Sequence, residues 1–349
     1  MIRVLVVDDS AVMRAFLGRV IGAQPDMEFL GASPDPLLAI DRIRRSPPDV
    51  ITLDVEMPRM NGLDFLRNLM AVRPLPVIMI SSLTRQGAET TVRALELGAV
   101  DFFPKPASFD QLEAGAQEIV DKIRAAAGAR VARRRAPVAT GPAPLKALVP
   151  SAPPQGSPAG LHRVIGIGAS TGGVEALREV LTQLPAQMPP ILIAQHMPPG
   201  FTETFARRLD TLCRIHVKQA DDNEAVRGGV AYIAPGGRHL VLARRGAGYI
   251  LRVNEDPPVN RHRPSVDTLF RSIARSAGHQ AIGVMLTGMG GDGAEAMLEM
   301  SQHGAYTIAQ DEASCVVFGM PRQAIAAGGV REIASLGEIA GRLEALAGP

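Results

Sequence analysis

The stretch RVIGIGASTGGVEALREVL, residues 163–181, decides the fold of the second half of the chain. It contains a short apolar run, a glycine-rich turn and a helical pattern, which predicts a buried strand leading directly into a helix. Residues 168–172 fit the pattern G-x-S-x-G, in which a serine hydroxyl is lifted clear at a helix N-terminus. Ser170 is therefore a candidate nucleophile, although a serine at this point could equally cap its own helix.

The same alternation of apolar runs and helical patterns recurs along the rest of the chain. The other runs are VLVV (4–7), VITL (50–53), VIMI (77–80), ILIAQH (191–196), VAYIAP (230–235) and AIGVMLTG (281–288). Strands that alternate with helices predict parallel sheets covered by helices on both faces. We therefore expect an α/β protein with two doubly wound parallel-sheet domains, the first flavodoxin-like and the second a Rossmann-like three-layer α/β/α domain. Residues 239–253 predict a β-hairpin within the second domain.

A change of composition separates the two halves. Residues 125–160 contain seven prolines and no Asp, Glu or aromatic residue. Such a segment buries too little apolar surface to offset the entropy of ordering it, so we predict a flexible linker between domains at 1–124 and 161–347. The basic cluster at 133–135 could contact an acidic surface or lipid, but we expect it to be a solvated face of this linker.

The bulk composition restricts the possible classes of function. The chain has 349 residues, of which 46% are hydrophobic and 21% charged, values typical of globular domains. Its net charge of +2 is too small to indicate a nucleic-acid partner. The N-terminus lacks a signal-peptide pattern and no apolar run is long enough to span a bilayer, so we expect a cytoplasmic protein without membrane insertion. Cys213 and Cys315 lack the spacing of a zinc site or a disulfide framework and are expected to be buried thiols.

Acidic residues follow the predicted strands of the first domain. Ligands of open parallel sheets bind beyond the carboxyl ends of the strands, where Asp8, Asp9 and Asp54 lie together with Ser81 and Lys105. Three converging carboxylates repel one another unless a hard cation lies between them, and oxygen ligands suit Mg²⁺. Two aspartates after a strand are by themselves usually a turn or a helix cap. It is the combination that predicts a magnesium site beside a lysine and a hydroxyl.

With the motifs DxEMPxMNG (54–62) and KP (105–106), residues 1–124 resemble the receiver domain of two-component response regulators. The resemblance implies that Asp54 accepts a phosphoryl group. It also implies that Asp8 and Asp9 are Mg²⁺ ligands and that Glu56 is a further ligand through its backbone carbonyl.

The same resemblance implies three switch residues in this domain. Lys105 would pair with the phosphoryl group, Ser81 would bond its oxygen, and Phe102 would occupy the aromatic switch position. Ser82 adjoins Ser81, so the position of the hydroxyl stays open between them.

In the second domain, a serine nucleophile requires a base, and the base requires a group that orients it. His196 follows one apolar run, and Asp292 belongs to TGMGGDG (287–293) after another. By itself His196 would more often be structural, and Asp292 could cap the following helix, but three catalytic residue types at three strand ends favour a triad. The other six histidines, His262 among them, are interpreted as surface or core residues. The near match to G-x-G-x-x-G from Gly166 leaves a nucleotide site as an alternative, although no acidic residue ends the next strand.

Residues 161–347 resemble the catalytic domain of the chemotaxis protein-glutamate methylesterases, through GASTGG, QHMPPGFT, APGGRHL, RHRPSVDTLF and LTGMGGDGA. The resemblance implies Ser170 as nucleophile, His196 as general base and Asp292 as the residue that orients it. It further implies that the backbone N–H of Met289 helps to hold the oxyanion and that Thr171 is an auxiliary active-site residue.

The resemblance also implies the function. We expect a serine hydrolase that needs no cofactor for its chemistry, hydrolyses γ-glutamyl methyl esters of chemoreceptors and deamidates some receptor glutamines. A chemotaxis histidine kinase would be the phosphodonor. The unphosphorylated receiver would inhibit the catalytic domain, and phosphorylation would relieve that inhibition. We expect the enzyme to be a monomer. Two alternatives remain from other classes: a response regulator with a DNA-binding output, and a nucleotide-binding or scaffolding output without esterase chemistry.

Overall fold

The computed structural model describes residues 1–57, 60–105, 108–131 and 163–348. Two compact units are present, one before residue 132 and one from residue 163 onward. Most of the predicted linker, including the basic cluster at 133–135, lies outside the described residues, so the domain limits stay a prediction. Among the helices of these ranges, none has both the length and the apolar character needed to cross a bilayer.

The N-terminal unit is a parallel five-stranded sheet with the strand order β2-β1-β3-β4-β5, which confirms the predicted doubly wound class. Its elements are β1 Ile2–Val7, α1 Ala11–Gly22, β2 Met27–Ser33, α2 Pro36–Arg45, β3 Val50–Asp54, α3 Gly62–Val72, β4 Val77–Ser82, α4 Arg85–Glu96, β5 Asp101–Lys105, α5 Phe109–Ala114 and α6 Ala116–Ala127. Helix α6 extends three residues into the range predicted as linker. Residues 125–127 are alanines, which have the highest helix propensity, and Gly128 then ends the helix.

The C-terminal unit is a parallel seven-stranded sheet with the order β14-β13-β12-β6-β7-β9-β8. This is not the architecture of a DNA-binding helix-turn-helix output. Its elements are β6 Val164–Ala169, α7 Gly173–Gln183, β7 Ile191–Gln195, α8 Phe201–Asp210, β8 His216–Gln219, β9 Val230–Ile233, β10 His239–Arg245, β11 Gly248–Asn254, α9 Val266–Ala277, β12 Ala281–Met285, α10 Ala294–Gln302, β13 Tyr306–Gln310, α11 Met320–Ala326, β14 Glu332–Ala334 and α12 Leu336–Ala347. The antiparallel pair β10–β11 confirms the predicted hairpin.

Both units have a switch point at their first strand, where the chain continues to opposite sides of the sheet. Strand β1 lies between β2 and β3, and β6 lies between β7 and β12. Ligand sites of open α/β sheets lie at such points, beyond the carboxyl ends of the strands. In the first unit, the residues predicted to be functional lie just after β1 or within and just after β3, β4 and β5. In the second unit they follow β6, β7 and β12.

The glycines of β6 allow α9 to approach the sheet closely. A Cβ atom on Gly166 would lie 2.6 Å from Cδ1 of Ile273, and one on Gly168 would lie 2.4 Å from Cγ1 of Val266. Both of these helix residues are fully buried. The first two glycines of the near match to a nucleotide-binding motif therefore serve to pack a helix against the sheet, which is a structural reason for their presence.

This packing predicts opposite effects for two Gly→Ala substitutions. Gly168→Ala should lower the free energy of unfolding of the C-terminal unit by about 1–3 kcal/mol, because Val266 has to move. Gly341→Ala, on α12 where no atom of the described residues lies within 4 Å of the added methyl group, should raise it by roughly 0.5–1 kcal/mol. Calorimetry of the full chain measures both shifts. A Gly168→Ala protein as stable as the parent would contradict the close packing of α9 on β6.

Candidate active site

The turn between β6 and α7 holds Ser170. Its N–H donates to the carbonyl oxygen of Thr287 at 3.0 Å, which ties the turn to the chain beyond β12. Gly172 ends the turn with a φ of 79°, and a Cβ atom there would lie 2.6 Å from Cβ of Val316. Only glycine fits this position. The hydroxyl of Ser170 is thereby held at the N-terminus of α7, as the G-x-S-x-G pattern predicted.

The structure brings Ser170, His196 and Asp292 together. Nδ1 of His196 lies 3.1 Å from Oγ of Ser170, and Nε2 lies 2.8 Å from Oδ2 of Asp292. The side chains of His196 and Asp292 are only 8% and 1% exposed. Since the carboxylate accepts the proton on Nε2, the lone pair on Nδ1 faces the hydroxyl. The imidazole can therefore take a proton from Ser170 and return it to a leaving group.

Four further hydrogen bonds converge on the carboxylate of Asp292. The hydroxyl of Ser265 donates at 2.8 Å, and the side-chain amide of Asn260 donates at 2.9 Å. The first two N–H groups of α9, of Val266 and Asp267, donate at 2.7 and 3.3 Å. Asp292 does not cap its own following helix: Gly293 holds that position at α10. Its carboxylate lies instead at the positive end of α9, which stabilises its charge.

These contacts decide the protonation state of Asp292. Burial by itself would raise the pKa of its carboxyl group. The hydrogen bond and charge of His196, with the donors Asn260 and Val266, outweigh burial and hold the pKa well below its usual range. Asp292 is consequently ionised throughout the neutral range, where it can stabilise an imidazolium ion on His196.

The interpretation of His262 as an ordinary surface or core residue was wrong. Its ring is stacked on that of His196, with centroids 3.7 Å apart and planes inclined by 9°. Asn260 was not singled out either, although its amide bonds Asp292. Both residues lie in a loop between β11 and α9, so no strand end marks them. The only signal for His262 was its place in the motif RHRPSVDTLF.

Thr171 and Met289 lie on the two loops beside the nucleophile. Thr171 is buried, and its carbonyl oxygen accepts a hydrogen bond from the hydroxyl of Thr287 at 3.0 Å. Gly288 leaves room for the nucleophile, since a Cβ atom there would lie 2.8 Å from Cβ of Ser170. The next N–H, that of Met289, has no hydrogen-bond acceptor among the described residues. It is available to an oxygen of a ligand.

The acidic residues of the N-terminal unit also converge. Asp8, Asp9 and Asp54 each place one carboxylate oxygen within 4.8 Å of the others. Nζ of Lys105 lies 2.8 Å from Oδ2 of Asp54 and 3.5 Å from Asp8. Oδ2 of Asp8 is buried, and within the described ranges it accepts no hydrogen bond. An oxygen of this kind, beside two further carboxylates, fits a hard cation.

Burial and mutual repulsion dominate the electrostatics of this pocket. Burial, with the charge of Asp54 as the next cause, raises the pKa of Asp8 to about 6. Burial also raises the pKa of Asp54, against the opposing effect of Lys105. Burial would lower the pKa of Lys105, but the bond to Asp54 and the two negative charges outweigh it and raise that pKa. The lysine therefore stays charged beside carboxylates that are costly to ionise.

The two serines at the end of β4 point to different neighbours. Ser81 is fully buried; its hydroxyl accepts from the hydroxyl of Thr91 at 2.6 Å and donates to the carbonyl of Gly87 at 3.2 Å. The hydroxyl of Ser82 donates to the Glu56 carboxylate at 3.2 Å. In this structure Ser81 is thus engaged with α4, whereas Ser82 contacts the loop after Asp54.

Glu56 and Phe102 are the remaining two residues of the predicted receiver site. The N–H of Glu56 donates to Oδ1 of Asp54 at 3.3 Å, so its backbone borders the carboxylates. Phe102 is only 4% exposed, and Nζ of Lys122 lies 5.9 Å from the centroid of its ring. Its side chain is therefore turned inward.

Comparison with known proteins relates each unit to a known protein family. The family model of the response regulator receiver domain matches residues 4–117, and the family model of the CheB methylesterase matches residues 165–343. A protein-glutamate methylesterase/protein-glutamine glutaminase of Paraburkholderia xenovorans is 58% identical over 348 residues, which is 99% of this chain and 96% of the relative. Another so named, from Salmonella choleraesuis, is 56% identical over 97% of this chain and 95% of its own length. The crystal structure of the Thermotoga maritima CheB methylesterase catalytic domain has 38% identity and a TM-score of 0.52, covering 53% of this chain and 98% of that one.

The raised pKa of Asp8 predicts a pH-dependent stability of the metal-free receiver. The folded state favours the protonated carboxyl, so the free energy of unfolding should fall as the pH rises from about 4 through about 6. This rise in the pKa of Asp8 corresponds to a loss of about 3 kcal/mol in the free energy of unfolding. Asp8→Asn should remove most of this loss. Urea unfolding of the full chain with a chelator, near pH 4.5 and near pH 7.5, compares the two proteins, and an equal pH dependence in both would contradict the assignment to Asp8.

Proposed function

Because the chain belongs to the CheB methylesterase family, we propose that it is a phosphorylation-controlled protein-glutamate methylesterase that also deamidates protein glutamines. The observation that supports this most directly is the contact of Ser170 with His196 and of His196 with a buried, ionised Asp292. Such an arrangement suits acyl transfer through a serine nucleophile.

In this reaction Oγ of Ser170 attacks the γ-carbonyl carbon of a methylated glutamate while Nδ1 of His196 takes the hydroxyl proton. The tetrahedral oxyanion accepts a hydrogen bond from the N–H of Met289. As the intermediate collapses, His196 gives the proton to the departing methoxy group, methanol leaves and an acyl-enzyme remains. Water then repeats the sequence and releases a glutamate carboxylate. A primary amide passes through a similar oxyanion and loses ammonia instead.

Control by the N-terminal unit rests on the acidic pocket. Asp54 is the proposed phosphoryl acceptor, with Mg²⁺ held by Asp8, Asp9, Asp54 and the backbone carbonyl of Glu56. When bound, the cation supplies the charge neutralisation that these carboxylates lack. The ammonium group of Lys105, 2.8 Å from Asp54, is positioned to pair with phosphoryl oxygen.

A hydroxyl and an aromatic ring complete the proposed switch. Bonding of Ser81 to the phosphoryl group would require its hydroxyl to leave Thr91 and Gly87. This change of hydrogen-bond partners, together with a change at the aromatic switch position Phe102, would transmit the effect of phosphorylation from the pocket to the rest of the unit.

The proposed substrates are the cytoplasmic helices of methyl-accepting chemoreceptors, and the proposed phosphodonor is a chemotaxis histidine kinase. The enzyme itself would be cytoplasmic. The enzyme would act as a monomer in chemotactic adaptation. Thr171 would serve as an auxiliary residue beside the nucleophile. The unphosphorylated receiver would restrain the catalytic unit, and phosphorylation would release it.

Substitutions at the triad test the chemistry. Ser170→Ala should abolish methanol release from methylated receptor, and His196→Ala should cost a comparable factor, because the hydroxyl then stays protonated. The double variant should lose little more than either single one, since the residues act as a unit. Asp292→Asn should be milder but still severe. Circular dichroism is the folding control. A folded Ser170→Ala enzyme that retains substantial activity would refute the assignment of Ser170 as the nucleophile.

Phosphorylation is tested at Asp54. Acetyl phosphate with Mg²⁺ should increase methanol release by the full chain, and Asp54→Asn should remove that increase because the acceptor carboxylate is gone. Asp41→Asn, an exposed aspartate on α2, is the matched control and should respond like the parent. Undiminished stimulation of Asp54→Asn would show that the acceptor is another residue.

A further inference from the structure

A tight turn beside the triad carries an arginine in an unusual backbone conformation. Val259 and His262 exchange two backbone hydrogen bonds, of 2.9 and 3.1 Å. The two residues between them, Asn260 and Arg261, have φ angles of 52° and 67°. Turns with positive φ at both central residues favour Asn followed by Gly, because a side chain at the second position is strained. Arg261 therefore occupies a position at which glycine would make the turn more stable.

The neighbours of Arg261 on both sides contact catalytic side chains. The amide of Asn260 donates to Asp292 at 2.9 Å and to Asp267 at 2.6 Å. His262 stacks on His196 at 3.7 Å. Since consecutive Cα atoms lie about 3.8 Å apart, the backbone of Arg261 is fixed at the edge of the active site. Its side chain is exposed.

The other arginines of this region are already engaged. Arg238 pairs with the carboxylate of Glu255 at 2.8 Å. Arg263 donates to the carbonyl oxygens of Glu255 and Asp256 at 2.9 and 3.3 Å. For Arg261, by contrast, the described part of the chain provides neither a hydrogen bond nor an ion pair to the guanidinium group. An exposed cation that is unpaired among these residues is thus held beside a site whose proposed substrate is a glutamate-bearing protein.

We propose that Arg261 is a specificity-determining residue that binds a carboxylate of the substrate protein close to the ester being hydrolysed. The proposal rests on the esterase function proposed above. Every turnover creates a carboxylate on the substrate, so an ester in a partly demethylated segment has anionic neighbours. The planar guanidinium group matches a carboxylate with two parallel hydrogen bonds, which an ammonium group cannot reproduce.

The test compares two substrates of the full-length enzyme: methylated chemoreceptor, and the γ-methyl ester of N-acetylglutamic acid α-amide, which carries no charge. In Arg261→Gly, the ratio of kcat/KM for the receptor to that for the small ester should fall about tenfold, equivalent to about 1.4 kcal/mol, mainly through a higher KM for the receptor. Arg261→Lys should restore part of the ratio. Arg245→Gly, an exposed arginine at the end of β10, is the matched control and should keep the parent's ratio.

Folding and salt provide two further measurements. The melting temperature of Arg261→Gly should equal or exceed that of the parent, because glycine relieves the positive φ. The parent's ratio should decline with ionic strength until it meets that of Arg261→Gly. An unchanged ratio in Arg261→Gly would overturn the proposal. If kcat/KM fell equally for both substrates, Arg261 would instead support the triad and not bind a carboxylate of the receptor. A parent inactive on both substrates would overturn the esterase function and this inference with it.

Discussion

The buried carboxylate of Asp292 is the constraint on which the catalytic unit depends. An ionised group removed from water is tolerated only when its oxygens are fully bonded. Its donors come from three separate parts of the chain: the N-terminus of α9, the turn at 259–262 and the end of β7. These parts must therefore meet at one point. The glycines of β6, which let α9 approach the sheet, belong to the same requirement although they touch no substrate.

The orientation of the catalytic imidazole follows from the register of the sheet. Ala169 pairs with Gln195 across β6 and β7, so Ser170 and His196 are the next residues of two adjacent strands. The ring nitrogen nearest the backbone, Nδ1, is the one that reaches so close a neighbour. Nε2, at the far side of the ring, extends to Asp292. Serine proteases of the chymotrypsin type use the ring in the opposite sense, with Nε2 towards the serine, because their residues meet from a different arrangement of strands.

The sequence predicted the parts of the site that lie at strand ends. Ser170 and His196 directly follow apolar runs, and such runs are strands buried on both faces, so their ends could be located without a structure. His262 and Asn260 could not be found in this way. Their contacts with His196 and Asp292 join residues far apart in the chain, and they arise from a loop whose conformation depends on the packing of α9. Ser81 and Ser82 illustrate a finer limit, since adjacent residues of a strand face opposite sides and only the structure shows which neighbours each one meets.

Both units place carboxylates beyond the carboxyl ends of their parallel strands, yet in opposite electrostatic states. Asp292 is bonded on every side, so its pKa is lowered and its charge is fixed. Asp8 has a buried oxygen that accepts no hydrogen bond from the described residues, and its pKa is raised to about 6. A carboxylate whose hydrogen bonds are all made is stabilised little by binding anything further. It is therefore suited to hold a base in one orientation. An incompletely bonded cluster is stabilised by whatever brings positive charge, so its free energy depends strongly on what it binds. That difference suits one site to repeated catalysis and the other to a change of state.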